Sequence, residues 1–495
     1  MMTRRNVHLI GVAIMTASWI VSGCSSSDGA RDRAAVFAGS WYSGTEKELT
    51  AEVDGYLAQA SLVGATDQPR PVALIAPHAG YRAAGTVTGY AYKAIQGIPY
   101  ERVVVMALSH GYPFQGVSID DVDSYTTPLG TVPLDMEACK KLREHPLVQY
   151  VPEANAQEHS LEIQIPFLQR ALGKFKLIPI TVGDMREAEF KEVSNLLKPL
   201  VDEKTLFVAS SDFTHFGPRF QYMPFRDNIQ KNIAILDKSA VNAIIHLDVE
   251  GFNRILNETH ATICGRNPIR LLLSCLPANS EGCLVKYDTS GRIFGDASNS
   301  VSYASIVFRA YPDYLNETEQ KTLLKFARDT IAAKLSGKDL PAIPSEQLTE
   351  RLRKPQGAFV TIHVKEPYQL RGCIGSIYAS RPLYEDIQDN AISASTRDPR
   401  FRPMTPDEMD KVEIEMSILS EMKTASSYKD IVLGTHGIVL RKGMNRALYL
   451  PQVPWEVGWE IEETLSHLSQ KAGLSADAWR EGTTFEIFTA QVFHE

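Results

Sequence analysis

The stretch PVALIAPH (residues 71–78) is a continuous apolar run that stops at a proline and a histidine. A strand with one wet face alternates apolar and polar residues. This one does not, so both of its faces read as buried, as in a parallel sheet covered by helices. Three more runs have the same form: RVVVMALSH (102–110), FKLIPITVG (175–183) and TLFVASSD (205–212). Helical patterns such as TEKELTAEVDGYLAQA and SLEIQIPFLQRAL are interspersed with them. Buried runs spaced by helices predict an α/β layered sheet for the first half of the chain.

The second half changes pattern. GAFVTIHV, LRGCIGSIY, KVEIEMSILS, GIVLRKG and NRALYLPQV are short alternating strands, interrupted by the helical stretches PLYEDIQDNAISAST and EETLSHLSQKAGL. That is an α+β domain with mostly antiparallel pairing. The break falls after SVSYASIVFRAYP (300–312), which reads as a last strand. A fresh helix follows, with Asn316 as N-cap, Glu319 three residues on, and Leu323, Leu324, Ala327, Ile331 and Leu335 on one face. The predicted domains are residues 35–311 and 312–495.

The chain has 495 residues, 44% of them hydrophobic and 22% charged, which is a globular composition too long for one ordinary core. Its net charge of −8 and lack of a basic patch argue against nucleic acid as a partner. At the N-terminus, MMTRRN precedes a short apolar stretch, VHLIGVAIMTASWIV, and then VSGC and the polar run SSSDGA. This is the layout of a secretory signal. VSGC resembles a bacterial lipobox, which implies cleavage after residue 23, lipidation of Cys24 and a tether over 24–34. Ser25 resembles an outer-membrane sorting residue. The expected location is the cell envelope, anchored by lipid to the outer membrane and facing the periplasm. Lipidation of one of six cysteines leaves five, an odd number in an oxidising compartment.

Three of the apolar runs end in residues that bind metals or move protons: His78, His110, and Asp212 with His215 in SSDFTHFG. In open α/β sheets such chemistry gathers beyond the carboxyl ends of the strands. Cys264, in THATICGRNPI (259–269), stands where an apolar helix begins, and a helix N-terminus favours a thiolate. Two imidazoles and a thiolate suit copper, zinc or iron and leave coordination positions open. Taken singly, each residue also has a plain structural reading. A strand-end histidine is usually a satisfied polar group, Asp212 can cap a helix, and Cys264 can be a small buried hydrophobe.

The ordered stretches AGSWYSG, LIAPHAGYRAAG, SHGYP, DSYTTPLG, EHSLEIQIPFLQ, SSDFTHFG, THATICGRNPI and SVSYAS (38–305) resemble the Memo family, also called AmmeMemoRadiSam system protein B. That family is similar in structure to class III extradiol dioxygenases. The resemblance implies His78, His110 and Cys264 as ligands of iron or copper. It places Asp212 and His215 in the pocket beside them, with His215 read as the acid/base group oriented or assisted by Asp212, and Glu158 and His159 lining the pocket. LRGCIG (370–375), with the stretches around it, is similar to the AMMECR domain, AmmeMemoRadiSam system protein A. Arg371, Gly372, Cys373 and Gly375 are the candidate site there, read as an anion- or substrate-binding pocket. The two families commonly accompany a radical SAM protein, which implies a functional link. The leading expectation is a metal-dependent redox enzyme acting on a small organic substrate. The alternatives are a copper- or metal-binding protein without turnover and an envelope-anchored interaction scaffold.

Overall fold

The computed structural model describes residues 31–62, 68–378 and 380–495. The signal-like segment, Cys24 and most of the tether lie outside them. Among the described residues no helix is long and apolar enough to cross a membrane.

The four apolar runs form strands β1 (Pro71–Ala76), β2 (Arg102–Leu108), β3 (Lys176–Val182) and β4 (Thr205–Ser210). Nearly every residue in them is buried. They run parallel in the order β1-β4-β2-β3. Two long strands, β5 (Ser280–Thr289) and β6 (Ser300–Ala310), add an antiparallel flank, β6 against β1 and β5 against β6. Helices Glu46–Gln59, Tyr81–Lys93 and Arg266–Cys275 bury apolar faces in this domain. The stretch SLEIQIPFLQRAL, read as one helix, is two pieces, His159–Glu162 and Ile165–Leu172. Pro166 explains the restart, because it suits a first turn and cannot sit in a helix interior.

Because β4 lies between β1 and β2, the carboxyl ends of three adjacent strands form one row. Neighbouring strands are about 4.8 Å apart, so side chains leaning over the end of β4 from either side can meet. This arrangement builds the site.

Helix Glu317–Leu335 opens the second domain, with the Asn316–Glu319 capping box in place. It packs with helix Leu383–Thr396 on an antiparallel sheet of Gln369–Ser376, Ala358–Val364, Val412–Leu419 and Ala490–His494. A second four-stranded antiparallel sheet, centred on Gly437–Lys442 and Thr484–Phe488, packs against helix Ile461–Lys471. The domains meet through polar contacts. Gln491 Nε2 donates to the Ala278 carbonyl at 3.3 Å, Gln320 Nε2 donates to the same carbonyl at 2.9 Å, and His494 Nε2 lies 2.9 Å from Asp248 Oδ1.

Candidate metal centre

His78 leaves the end of β1 and is 1% exposed. Its backbone is fixed by Asp212, whose Oδ1 accepts from the amides of His78 (2.8 Å) and Ala79 (3.3 Å). Its ring Nδ1 lies 3.0 Å from Ser210 Oγ, the last residue of β4. The single proton of that hydroxyl goes to the Ser160 carbonyl at 2.6 Å, and Gln164 Nε2 donates to the oxygen at 2.9 Å. Ser210 therefore accepts from His78, Nδ1 carries the ring proton, and Nε2 keeps its lone pair. That lone pair faces Cys264, whose sulfur is 3.1 Å from Nε2.

His110 follows β2. Its Nδ1 lies 3.0 and 3.2 Å from the two oxygens of Glu158, which also accept from the amides of His110 and Ser160. The carboxylate holds the proton on Nδ1 and turns Nε2 outward as a ligand atom. Burial works to raise the Glu158 pKa, but the hydrogen bonds and charge of His110 outweigh it and bring it to about 2. His159 lies between Trp41 and His110, with ring centroids at 4.0 and 4.5 Å. Burial and the neighbouring His78 pull its pKa down to about 3. Burial, then His110, also pushes His78 well below the usual range. His78 and His159 are thus neutral imidazoles, the form that binds a cation.

The donor atoms of His78, His110 and His159 all lie within 4.8 Å of one another, and together they form a group able to hold a metal ion. His78 forms the buried floor and the more exposed His110 stands at the mouth. Cys264 adds sulfur beside His78. The reading of His159 as a pocket residue thus extends to a donor position. The thiolate expected at Cys264 is not favoured by the protein's own groups. Burial, with the nearby Asp212 second, raises the thiol well above its ordinary value. Helix Arg266–Cys275 starts two residues later, and its terminus does not overcome that burial.

The pairing expected between Asp212 and His215 is also different. Asp212 points its carboxylate at the β1 end, and burial raises its pKa. His215 Nδ1 instead donates to the carbonyls of Phe213 (2.9 Å) and Thr262 (3.1 Å), which leaves Nε2 as a proton acceptor. A cleft of about 210 Å³, lined by His110, Tyr112, Asp184, Cys264, Arg266 and Asn267, opens beside the centre. Trp41, Gln164 and Ser210 escaped the sequence reading of the site, although each lies in one of the family-like stretches.

In the second domain, Arg371 is not an open anion site. Its guanidinium grips Glu408 at 2.8 and 3.2 Å and the Arg402 carbonyl at 3.0 Å. Gly372 and Gly375 are packing positions. A Cβ on Gly372 would lie 2.2 Å from the Ala394 carbonyl oxygen, and one on Gly375 would lie 2.2 Å from the Phe359 ring. Cys373 lines a cleft between the domains. Among the described residues, all five cysteines are free thiols.

Comparison with known proteins agrees with this division. The family profile described as Memo-like protein matches residues 33–307, and that of AMMECR1 matches residues 324–493. Protein MEMO1 of Mus musculus is 33% identical over 288 residues, which span 55% of this chain and 96% of that protein. The memo-1 homolog of Caenorhabditis elegans is 32% identical over 300 residues, spanning 58% and 85%. A crystal structure of an uncharacterized protein from Pyrococcus horikoshii aligns at 33% identity with a TM-score of 0.35, over 37% of this chain and 94% of that one. Ordered motifs, strand-end donors and profile matches agree: the chain belongs to the Memo-like family and carries an AMMECR1 domain behind its Memo-like domain.

Proposed function

We propose that the first domain is a metal-dependent redox enzyme acting on a small organic substrate. Iron or copper would be held by His78, His110 and Cys264, with His159 as a further donor. One observation carries this reading: the nitrogen donors of three imidazoles and a cysteine sulfur converge beyond three adjacent strand ends. Nitrogen and sulfur donors of this kind fit a first-row transition ion and not magnesium or calcium. When bound, such an ion supplies one-electron and Lewis-acid chemistry. The protein's own part is orientation and proton handling. Ser210 and Glu158 hold two rings in the ligating tautomer. His215, with Nδ1 tied to two carbonyls, offers Nε2 to take a proton from a substrate hydroxyl. The cleft beside His110 is the approach for substrate. The class III extradiol dioxygenases are the architectural analogy, and the same analogy favours an aromatic substrate. We place the protein at the cell envelope through lipid on Cys24; Cys24→Ala is expected to move it into the soluble fraction.

The test is elemental analysis of full-length protein purified without oxygen, followed by oxygen uptake with catechol-type substrates. About one iron or copper per chain is expected, lost in His78→Ala with the far-ultraviolet circular dichroism unchanged. Metal-free wild type, or global unfolding of His78→Ala, would count against the proposal. A loaded protein with no uptake would support metal binding without turnover.

A further inference from the structure

The segment from Glu158 to Gln164 serves all three imidazoles of the metal centre. Glu158 holds the His110 ring, and His159 is itself a donor. The Ser160 carbonyl and the Gln164 amide fix the Ser210 hydroxyl, which in turn holds His78. Glu162 stands in the middle of this segment, is 1% exposed, and lies outside the donor group. Its carboxylate is spent on the N-terminal arm, residues 33–42. Oε1 accepts from the Phe37 amide and from the Tyr42 hydroxyl, both at 2.8 Å, and Oε2 accepts from the Val36 amide at 2.9 Å. A buried carboxylate keeps its place through its hydrogen bonds, and all three of these come from the arm.

The arm grips the same segment in two further ways. Arg33 donates to the Glu158 carbonyl at 2.9 Å and pairs with Asp120 at 3.0 Å. Phe37 and Trp41 pack on the His159 ring, with centroids at 5.6 and 4.0 Å. The arm also bears on the turn after His78. There the Trp41 carbonyl accepts from the Tyr81 amide at 2.9 Å, and a Cβ on Gly80 would lie 3.2 Å from that carbonyl oxygen. A helix of four residues, His159–Glu162, has no stability of its own, so its place is set by what grips it. Ser160 ties it to the Leu108 carbonyl at the end of β2, and Glu162 ties it to the arm.

We propose that Glu162 is a positioning residue for the metal centre: its carboxylate clasps the N-terminal arm, and the clasped arm seats His159 and the segment that orients the His78 and His110 rings. This rests on the metal reading of the site, because what the clasp positions is the donor set. Opening the clasp frees Trp41 from the imidazole and lets the groups of one segment drift together. Metal affinity then falls while the buried sheet keeps the fold.

The experiment uses the full-length protein. Iron(II) and copper(I) are each titrated without oxygen against a competing chelator, in wild type, Glu162→Gln, Tyr42→Phe and Glu52→Ala. Each of the first two variants removes one clasp bond, since an amide nitrogen cannot accept and phenylalanine carries no hydroxyl. Tyr42→Phe keeps the test open should Glu162→Gln fail to fold. Glu52 is the control, because its Oε2 accepts from the Ser43 amide at 3.0 Å and so holds the chain just beyond the arm, away from the segment. The emission of Trp41, taken as the difference between each protein and its Trp41→Phe counterpart, reads the arm without metal. Both clasp variants are expected to bind metal about tenfold more weakly and to shift the Trp41 emission to longer wavelength, with the far-ultraviolet circular dichroism unchanged. Glu52→Ala is expected to do neither. Unchanged affinity or unchanged emission in both clasp variants would overturn the proposal. So would an equal loss of affinity in Glu52→Ala, which would mean that any loosening of the arm suffices. A wild type that takes up neither metal would sink the metal reading instead. The Trp41 emission would then decide the clasp, a shift in the clasp variants alone supporting it and no shift overturning it.

Discussion

His110 and His78 reach the same end, a free Nε2, by different means. Glu158 holds the proton of His110 with a full charge, whereas Ser210 holds that of His78 through a hydroxyl whose own proton is committed to Ser160. Glu158→Gln is therefore expected to weaken metal binding about 10- to 100-fold without unfolding, as measured by competition with a chelator. Cys264→Ser and His159→Ala separate the donors: the variant whose metal stoichiometry collapses at saturating metal has lost a ligand, and the one that keeps it has lost a neighbour. Much of this was legible in the chain, because His78, His110 and Asp212 each end a buried run. The proton assignments were not. They depend on Ser160 and Gln164 meeting Ser210, which lies 50 and 46 residues further along the chain and joins them only in the folded site.

Two stretches show how far pattern reading reaches at the level of elements. The buried runs were unambiguous as strands, because no helix of four to seven residues would be apolar on every side. Their order was not, since the buried face of a strand says nothing about which neighbour covers its edge. In the second domain the LRGCIG stretch was legible as a strand with tight backbone approach, but not what approaches. It is helix Leu383–Thr396 that does so, its Ala394 carbonyl standing where a Gly372 side chain would be. Gly372→Ala is expected to destabilise the second domain by about 1–3 kcal/mol, because a strand and a helix must part to admit one methyl. Urea unfolding read at both domains checks this, and an unchanged midpoint would show that the helix gives way freely. At the metal centre, Gly265 plays the same part, since a Cβ there would lie 2.4 Å from Ser211 Cβ.

For the whole molecule, the join between domains has its own titration. Burial works against the charged form of His494, but Asp248, with Glu415 and Glu413 behind it, raises the pKa from 6.5 to about 9. A group raised on folding contributes its full stability below its unfolded value and loses it as pH climbs through the folded one. The contribution from His494 is thus complete below about pH 6.5 and gone above about pH 9. His246 acts in the opposite sense, its contribution present above 6.5 and fading toward about 4; Glu281, raised by burial to about 8, also titrates above neutrality, but in wild type and in a His494 variant alike, so the comparison of the two reads His494. The unfolding midpoint of wild type is expected to fall relative to that of His494→Gln between pH 6.5 and 9; parallel curves would show that the pair does not support the join. What the sequence determined by itself was the kind of each half and the residues that carry chemistry, because burial on one or two faces leaves a local pattern of apolar residues. Only the tertiary structure decided which imidazoles share a point, that Arg371 is spent on Glu408, and that the two domains enclose a polar cleft. These depend on the spatial order of strands and the docking of domains, and contacts between distant residues leave no period in the chain.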